Sequence, residues 1–186
     1  MSLKAKAEKA EKIKIRPARE EDFSLIQKFN ALLFRKEQKD FDPTLDINWP
    51  FSAEGERYFR RVLRGENGQA WLAIIDNQPV GYLAAVLTDE IPSSRKLKKR
   101  AILDNMFVLK SFRNRGAGSR LVQEFIHWAQ QQGADNLRVT AFSGNKKALD
   151  FYRQNGFQDY NQTLEINFPS RKKELNNEED NGDSDD

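Results

Sequence analysis

No cysteine occurs among the 186 residues. That excludes a disulfide framework, a thiolate metal site and a cysteine nucleophile. No apolar run approaches the ~18–20 residues needed to cross a bilayer. The opening stretch, "MSLKAKAEKAEK", lacks the apolar core of a secretory signal. A large net charge is missing too: the formal balance is only +3, too weak for a nucleic-acid footprint. The one histidine, His127, falls mid-way along the polar face of a helical pattern, which reads as a surface position rather than a catalytic base. These absences imply a cytoplasmic protein without metal, membrane or nucleic acid among its partners.

What is present is a core. Hydrophobic residues make up 38% of the chain, aromatics 11% and charged residues 32%, which suits one globular domain with polar ends. Residues 1–16 hold six Lys/Arg and two Glu, whereas residues 170–186 hold three Lys/Arg and seven Asp/Glu. The expected organisation is a flexible basic tail over 1–11, a domain over 12–169 and a disordered acidic tail over 170–186.

Periodicity then orders the elements. Residues 12–18 alternate and read as a short strand. Phe23, Ile26, Phe29, Leu32 and Leu33 recur at helical spacing, and residues 53–65 give a second helix ended by Gly65. Between them lies a loop with two prolines. Residues 70–87 form two apolar strands joined at Asp76-Asn77-Gln78-Pro79, and residues 100–109 a nearly continuous apolar strand of the central kind. In the next helix Leu121, Val122, Phe125, Ile126, Trp128 and Ala129 fill one arc of roughly 160°. A strand over 137–142, a short helix ended by Gly156 and a final strand over 157–168 complete the chain. This predicts an α/β class fold: a mixed sheet of about six to seven strands with four helices on both faces, antiparallel early and with a βαβ crossover late.

One stretch carries chemistry. "SFRNRGAGSRL" joins the central strand to a helix. It is not a Walker loop, which needs Lys-Ser/Thr after its second glycine, nor a dinucleotide fingerprint, since Leu121 stands where the third glycine belongs. It does place glycines and arginines at a helix N-terminus, where unpaired N–H groups and the helix dipole favour an anion. Some 27 residues beyond Gly118 comes "NKKALDFYRQNGF", with Asn145, Ala148, Leu149 and Tyr152 on one helical stripe.

Together these stretches resemble the GNAT superfamily of N-acetyltransferases. The family's Q/R-x-x-G-x-G/A loop is matched by Arg113 to Gly118, and its N-x-x-A-x-x-F/L-Y helix by Asn145 to Tyr152. The resemblance implies a pyrophosphate cradle for acetyl-CoA made by the backbone of Arg115, Gly116, Ala117, Gly118 and Ser119, assisted by Arg113 and Arg115. It implies that the pantetheine arm pairs with the main chain of Phe107 and Val108, and that Asn145 belongs to the cofactor site. Tyr152 matches the family's general acid. Asp104, the only acid of the central strand, is the candidate general base, expected on a buried strand; a purely structural pairing with a basic neighbour stays open.

Direct transfer from the thioester to an amine in a ternary complex follows, consistent with the lack of cysteine. For the acceptor, the connection between the first helices mixes Asp40, Asp42, Asp46, Glu54 and Glu56 with Phe41, Trp49, Phe51, Tyr58 and Phe59. Acids beside aromatics suit a small cationic amine such as a polyamine; a solvated loop with aromatic anchors is the competing reading. Basic Arg95 to Arg100 reads either as an attractor of an acidic protein or as a solvated hairpin end. A protein lysine or N-terminal acetyltransferase is the second function, and a non-catalytic acetyl-CoA-binding regulatory module the third. By family analogy a homodimer is expected.

Overall fold

The computed structural model describes residues 12–168; both charged tails lie outside them. The chain runs β1 (Lys14–Pro17), α1 (Phe23–Asp40), α2 (Ala53–Leu63), β2 (Gly68–Ile75), β3 (Gln78–Thr88), β4 (Arg100–Val108), α3 (Ala117–Gln131), β5 (Asn136–Val139) and α4 (Lys146–Gln154). The five strands form one sheet in sequence order. β1 to β4 are antiparallel neighbours, and β5 joins β4 in parallel through the α3 crossover. Asp76 and Asn77 both adopt positive φ, +49° and +62°, in the tight turn between β2 and β3. Such a turn matches the twist of the strands it joins.

Each face of the sheet buries its own core. Ile26, Phe29, Phe59, Val62, Leu72 and Tyr82 pack under α1 and α2, and Leu83, Leu103, Leu121, Val122 and Phe125 pack under α3. The arc expected on α3 is its buried face: Leu121, Val122, Phe125 and Ala129 are wholly inside, and His127 lies exposed against Gln131. At the start of α1, Arg16 Nη1 and Nη2 grip the two oxygens of Asp22 at 2.7 and 2.8 Å. This pair ties β1 to the first helix. The Asp22 carboxyl is held below its ordinary pKa by the Arg16 hydrogen bonds, with burial opposing.

The sheet has five strands, fewer than the periodicity suggested. The missing one is the final strand: residues 157–168 form no ladder with any described strand. Their alternation is real, with Tyr160, Leu164, Ile166 and Phe168 two or four apart, but Leu164, Ile166 and Phe168 are 85%, 82% and 86% exposed. Alternation is a local property, whereas a strand also needs an edge to pair with. Beyond α4 the chain instead passes beside β5. There Tyr160 sits beside the Arg95 and Arg138 guanidinium groups, at 5.6 and 5.2 Å from the ring centroid. A groove of 380 Å³ lined by Ile126, Leu137, Val139, Phe157 and Tyr160 is left there. Phe157 of this groove also packs against Tyr152 of the site below.

Candidate active site

Two irregularities in β4 make the site. The first is a bulge. Leu103 pairs with Ala85 and Asn105 with Ala84, so Asp104 has no partner on β3. An extra residue reverses the alternation of faces beyond it. Before the bulge, Ala101 and Leu103 point into the core under α3; after it, Phe107 points into the core under α1 and α2. Asn105 turns the same way, accepting from Asn30 of α1 at 3.0 Å.

The second is an early parting of strands. β5 pairs with β4 only as far as Val139 opposite Leu103, while β4 continues to Val108. From Asp104 to Val108 the backbone on that side lacks a strand neighbour. An extended ligand arm can pair with such an edge as an added strand. Phe107 and Val108 lie on this edge. The Val108 carbonyl accepts from Arg113 Nε at 2.8 Å, and the Arg113 guanidinium lies 5.7 Å from the Phe107 ring centroid. Arg113 therefore braces the end of the open edge as well as standing beside the glycine loop.

Asp104 is exposed, contrary to the expectation of a buried strand position. The bulge accounts for this, because the unpaired residue leaves the pleat. Its partners are not basic. Tyr58 Oη donates to Asp104 Oδ2 at 2.5 Å, and Asn105 Nδ2 donates to the same oxygen at 3.1 Å. Behind them, Asn30 Nδ2 donates to Tyr82 Oη at 2.8 Å, extending the network inward. Burial first, then the charge of Asp104, pushes the Tyr58 phenol well above its ordinary pKa, so it remains a donor.

At the carboxyl end of β4, Gly116 opens α3 at φ +91°, a left-handed conformation that favours glycine. The first backbone bond of the helix runs from Arg120 N–H to the Gly116 carbonyl at 3.1 Å. No side chain caps the helix, so the Ala117, Gly118 and Ser119 amides are offered outward. Gly118 has a packing duty as well. A Cβ there would come within 3.2 Å of the Phe151 ring, so glycine lets α4 approach the start of α3.

That approach brings in Tyr152. Its ring packs edge-on against Phe151 and Phe157, at centroid distances of 5.3 and 5.7 Å. Burial, with the charge of Glu37 second, raises its pKa above that of a free phenol. Its hydroxyl makes no hydrogen bond to another described residue. Asn145 caps α4, its Oδ1 accepting from Ala148 N–H at 3.2 Å, so its side chain fixes the helix that carries Tyr152.

The acidic connection after α1 does not gather into the cleft. Asp42 and Asp46 bind their own loop at Thr44 and Asn48, and Asp40 pairs with Lys36. Trp49 and Phe59 anchor the loop and α2 to the core side. Of this segment only Tyr58 enters the network around Asp104. Tyr58 stood out in the sequence only as one aromatic of the acceptor segment, and Asn30 and Asn105 gave no local signal, since they meet across 75 residues. No group of acids and histidines among the described residues is arranged to hold a metal ion, and none of their helices is long and apolar enough to cross a membrane.

A single-sheet α/β domain with a cleft where parallel strands part, an uncapped helix start beside it and a phenol opposite is the architecture of an acyl-transferring fold. The Acetyltransferase (GNAT) family model matches residues 32–157, and the chain belongs to that family. An uncharacterized N-acetyltransferase of Methanocaldococcus jannaschii is 25% identical over 104 residues, covering 55% of this chain and 44% of that protein. Thialysine N-epsilon-acetyltransferase of Bos taurus is 32% identical over 57 residues, 31% of this chain and 34% of that protein. The matches thus span less than half the length of these relatives. A predicted acetyltransferase with acetyl-CoA from Clostridium acetobutylicum shares the fold at a TM-score of 0.66 and 23% identity, over 84% of this chain and 96% of that one.

Proposed function

We propose that this chain transfers an acetyl group from acetyl-CoA to a primary amine by direct attack in a ternary complex, the acceptor being a small cationic amine such as a polyamine. The observation that carries the reading is the bulge at Asp104. It sets a hydrogen-bonded carboxylate at the head of an open strand edge, on the strand that leads on to the uncapped start of α3. The residues present fit the coenzyme. The outward amides of Ala117 to Ser119 suit a pyrophosphate, with Arg113 and Arg115 adding cationic donors. The free edge at Phe107 and Val108 suits an amide-bearing arm.

When bound, acetyl-CoA supplies an activated acyl carbon. The chain manages two protons. A free alkylamine is mostly protonated at neutral pH, with a reference pKa near ~10.4. Asp104 Oδ1, the oxygen not held by Tyr58 and Asn105, accepts the ammonium proton directly or through one water. Tyr152 Oη keeps its proton at neutral pH and offers it to a departing thiolate. The related thialysine acetyltransferase, whose name specifies an amine acceptor, supports the substrate class.

Coenzyme release with a panel of amines tests the reading. Because the chain has no cysteine, a thiol reagent reports only released coenzyme. Saturable release with polyamine-like acceptors is expected. Release with peptides alone would move the acceptor to protein amines, and acetyl-CoA binding without release on a broad panel would make the chain a non-catalytic binding module.

A further inference from the structure

We propose that Glu37 holds a second ammonium group of the acceptor, so that the site selects linear diamines over monoamines. This rests on the acetyltransferase reading above and assigns Glu37 as a specificity residue within it. Three observations converge on this carboxylate.

First, it lacks a partner where it should have one. Asp22, Glu37 and Asp42 are the acids among the described residues that are not fully exposed, Asp104 standing out at the bulge. Asp22 pairs with Arg16, and Asp42 accepts from Thr44, whereas the Glu37 carboxylate makes no hydrogen bond or ion pair with any described residue. The neighbouring cation opposes this only through space: Lys36 lowers the Glu37 pKa by its charge but is bonded to Asp40 at 3.0 Å and stands over the Phe41 ring at 4.9 Å. A half-buried carboxylate is costly when unpaired, and burial accordingly raises the pKa of this one.

Second, its position is that of the cleft. Its charge helps to raise the pKa of both the Tyr82 and the Tyr152 hydroxyls, one in the Asp104 network and the other on α4. The Phe41–Phe142 stack, at 5.6 Å between ring centroids, ties the end of α1 to the chain beyond β5, on the same side. Third, the same helical stripe is short of donors. Asn30 lies seven residues before Glu37, two turns or about 10 Å along the axis. Its buried Oδ1 accepts no hydrogen bond at all.

An excess of acceptors on this stripe calls for a ligand that brings N–H groups. Asn30 reaches Asp104 through Asn105, so Asp104 ends this polar track, and Glu37 lies two turns of α1 beyond Asn30. An acceptor cationic at both ends suits it: one nitrogen gives its proton to Asp104, and the other stays charged at Glu37.

The test compares straight α,ω-diamines of increasing length with monoamines of equal length, using the full chain and acetyl-CoA. The wild type is expected to favour a diamine in kcat/KM by roughly tenfold or more. Glu37→Gln should reduce the diamine-to-monoamine ratio at least tenfold, mostly through KM. Glu37→Asp, which withdraws the charge by one methylene, should retain a preference and shift it to a longer diamine. A wild type indifferent to the second amine, or a ratio unchanged in Glu37→Gln, overturns the proposal while leaving acetyl transfer standing. Absence of release by the wild type with every amine overturns both.

Discussion

Replacing Tyr152 by Phe separates catalysis from stability with unusual clarity, because its hydroxyl and its ring do different things. The ring is packed by Phe151 and Phe157 at 5.3 and 5.7 Å, contacts that phenylalanine keeps. The hydroxyl bonds to no described residue, so its removal breaks no hydrogen bond, and an unpartnered polar atom leaves an apolar setting. The expected stability change is within about 0.5 kcal/mol of zero, or slightly stabilising. Turnover is a different matter. Loss of a positioned proton donor typically costs ~10²–10⁴-fold in rate. Thiol release at saturating amine gives kcat, and urea unfolding followed by circular dichroism gives stability. The KM for acetyl-CoA should change little, since the amides of α3 are untouched. The raised pKa adds a condition on pH. The phenol stays protonated past its ordinary value, so no alkaline fall in kcat from this group should appear below about pH 10. Full turnover by Tyr152→Phe would refute the acid role. A stability loss above about 2 kcal/mol would show that the hydroxyl is bonded in the folded state.

Burial raises Tyr58, Tyr82 and Tyr152 above the ordinary phenol pKa of 10.0, so the folded state holds protons that the unfolded chain releases. Their contribution is intact below that value and lost as pH rises above it, at about 1.4 kcal/mol per pH unit for each group. Tyr82→Phe should flatten the fall in urea stability measured between pH 9 and 11, and an unchanged slope would contradict the assignment. Asp22 has the opposite sign: its folded pKa is lowered, so its contribution is present above about pH 3.9 and disappears as pH falls through the folded value. Asp22→Asn should cost about 2 kcal/mol at pH 7 and much less near pH 3, by urea unfolding at both. Asn145→Ala removes the cap of α4 and should lower stability by about 1 kcal/mol, with a Tm drop of roughly 2–4 °C in a thermal scan.

Local chemistry was legible, and long-range pairing was not. The glycine loop declared the start of α3, because a left-handed Gly116 and an uncapped N-terminus are consequences of a few adjacent residues. The α3 arc, the Asp76-Asn77 turn and the Tyr152 stripe were readable for the same reason. The final strand failed because Leu164, Ile166 and Phe168 alternate without a described edge to receive them. Asp104 was found, but its setting was misjudged: a bulge leaves no mark in an apolar run, and it alone turns a buried strand position outward. Its partner Tyr58 lies 46 residues away, and the Asn30–Asn105 bond spans 75 residues. No spacing rule predicts such meetings. The aromatic and acidic loop offered a plausible acceptor surface, yet Asp42 and Asp46 are spent on their own turns.

The bulge and the short fifth strand depend on one another for the site to exist. Were β4 regular, Asn105 and Phe107 would point toward α3 instead of toward α1 and α2, and the Asn30–Asn105–Asp104 track would be severed. Were β5 longer, it would pair with the very edge at Phe107 and Val108 that an incoming arm needs. The hydrogen-bond network stabilises the irregularity. Tyr58 and Asn105 satisfy the carboxylate that the bulge expels, and Asn30 Nδ2 donates to both Asn105 and Tyr82 within the core. A sheet defect that costs ladder bonds therefore persists because polar groups from α1, α2 and β3 compensate it. That compensation predicts coupling. Tyr58→Phe and Asn105→Leu should be non-additive in a double-mutant cycle, since each removes a donor to the same Asp104 oxygen. Strictly additive losses in urea stability would mean that the two donors act independently and that the network does not hold the bulge.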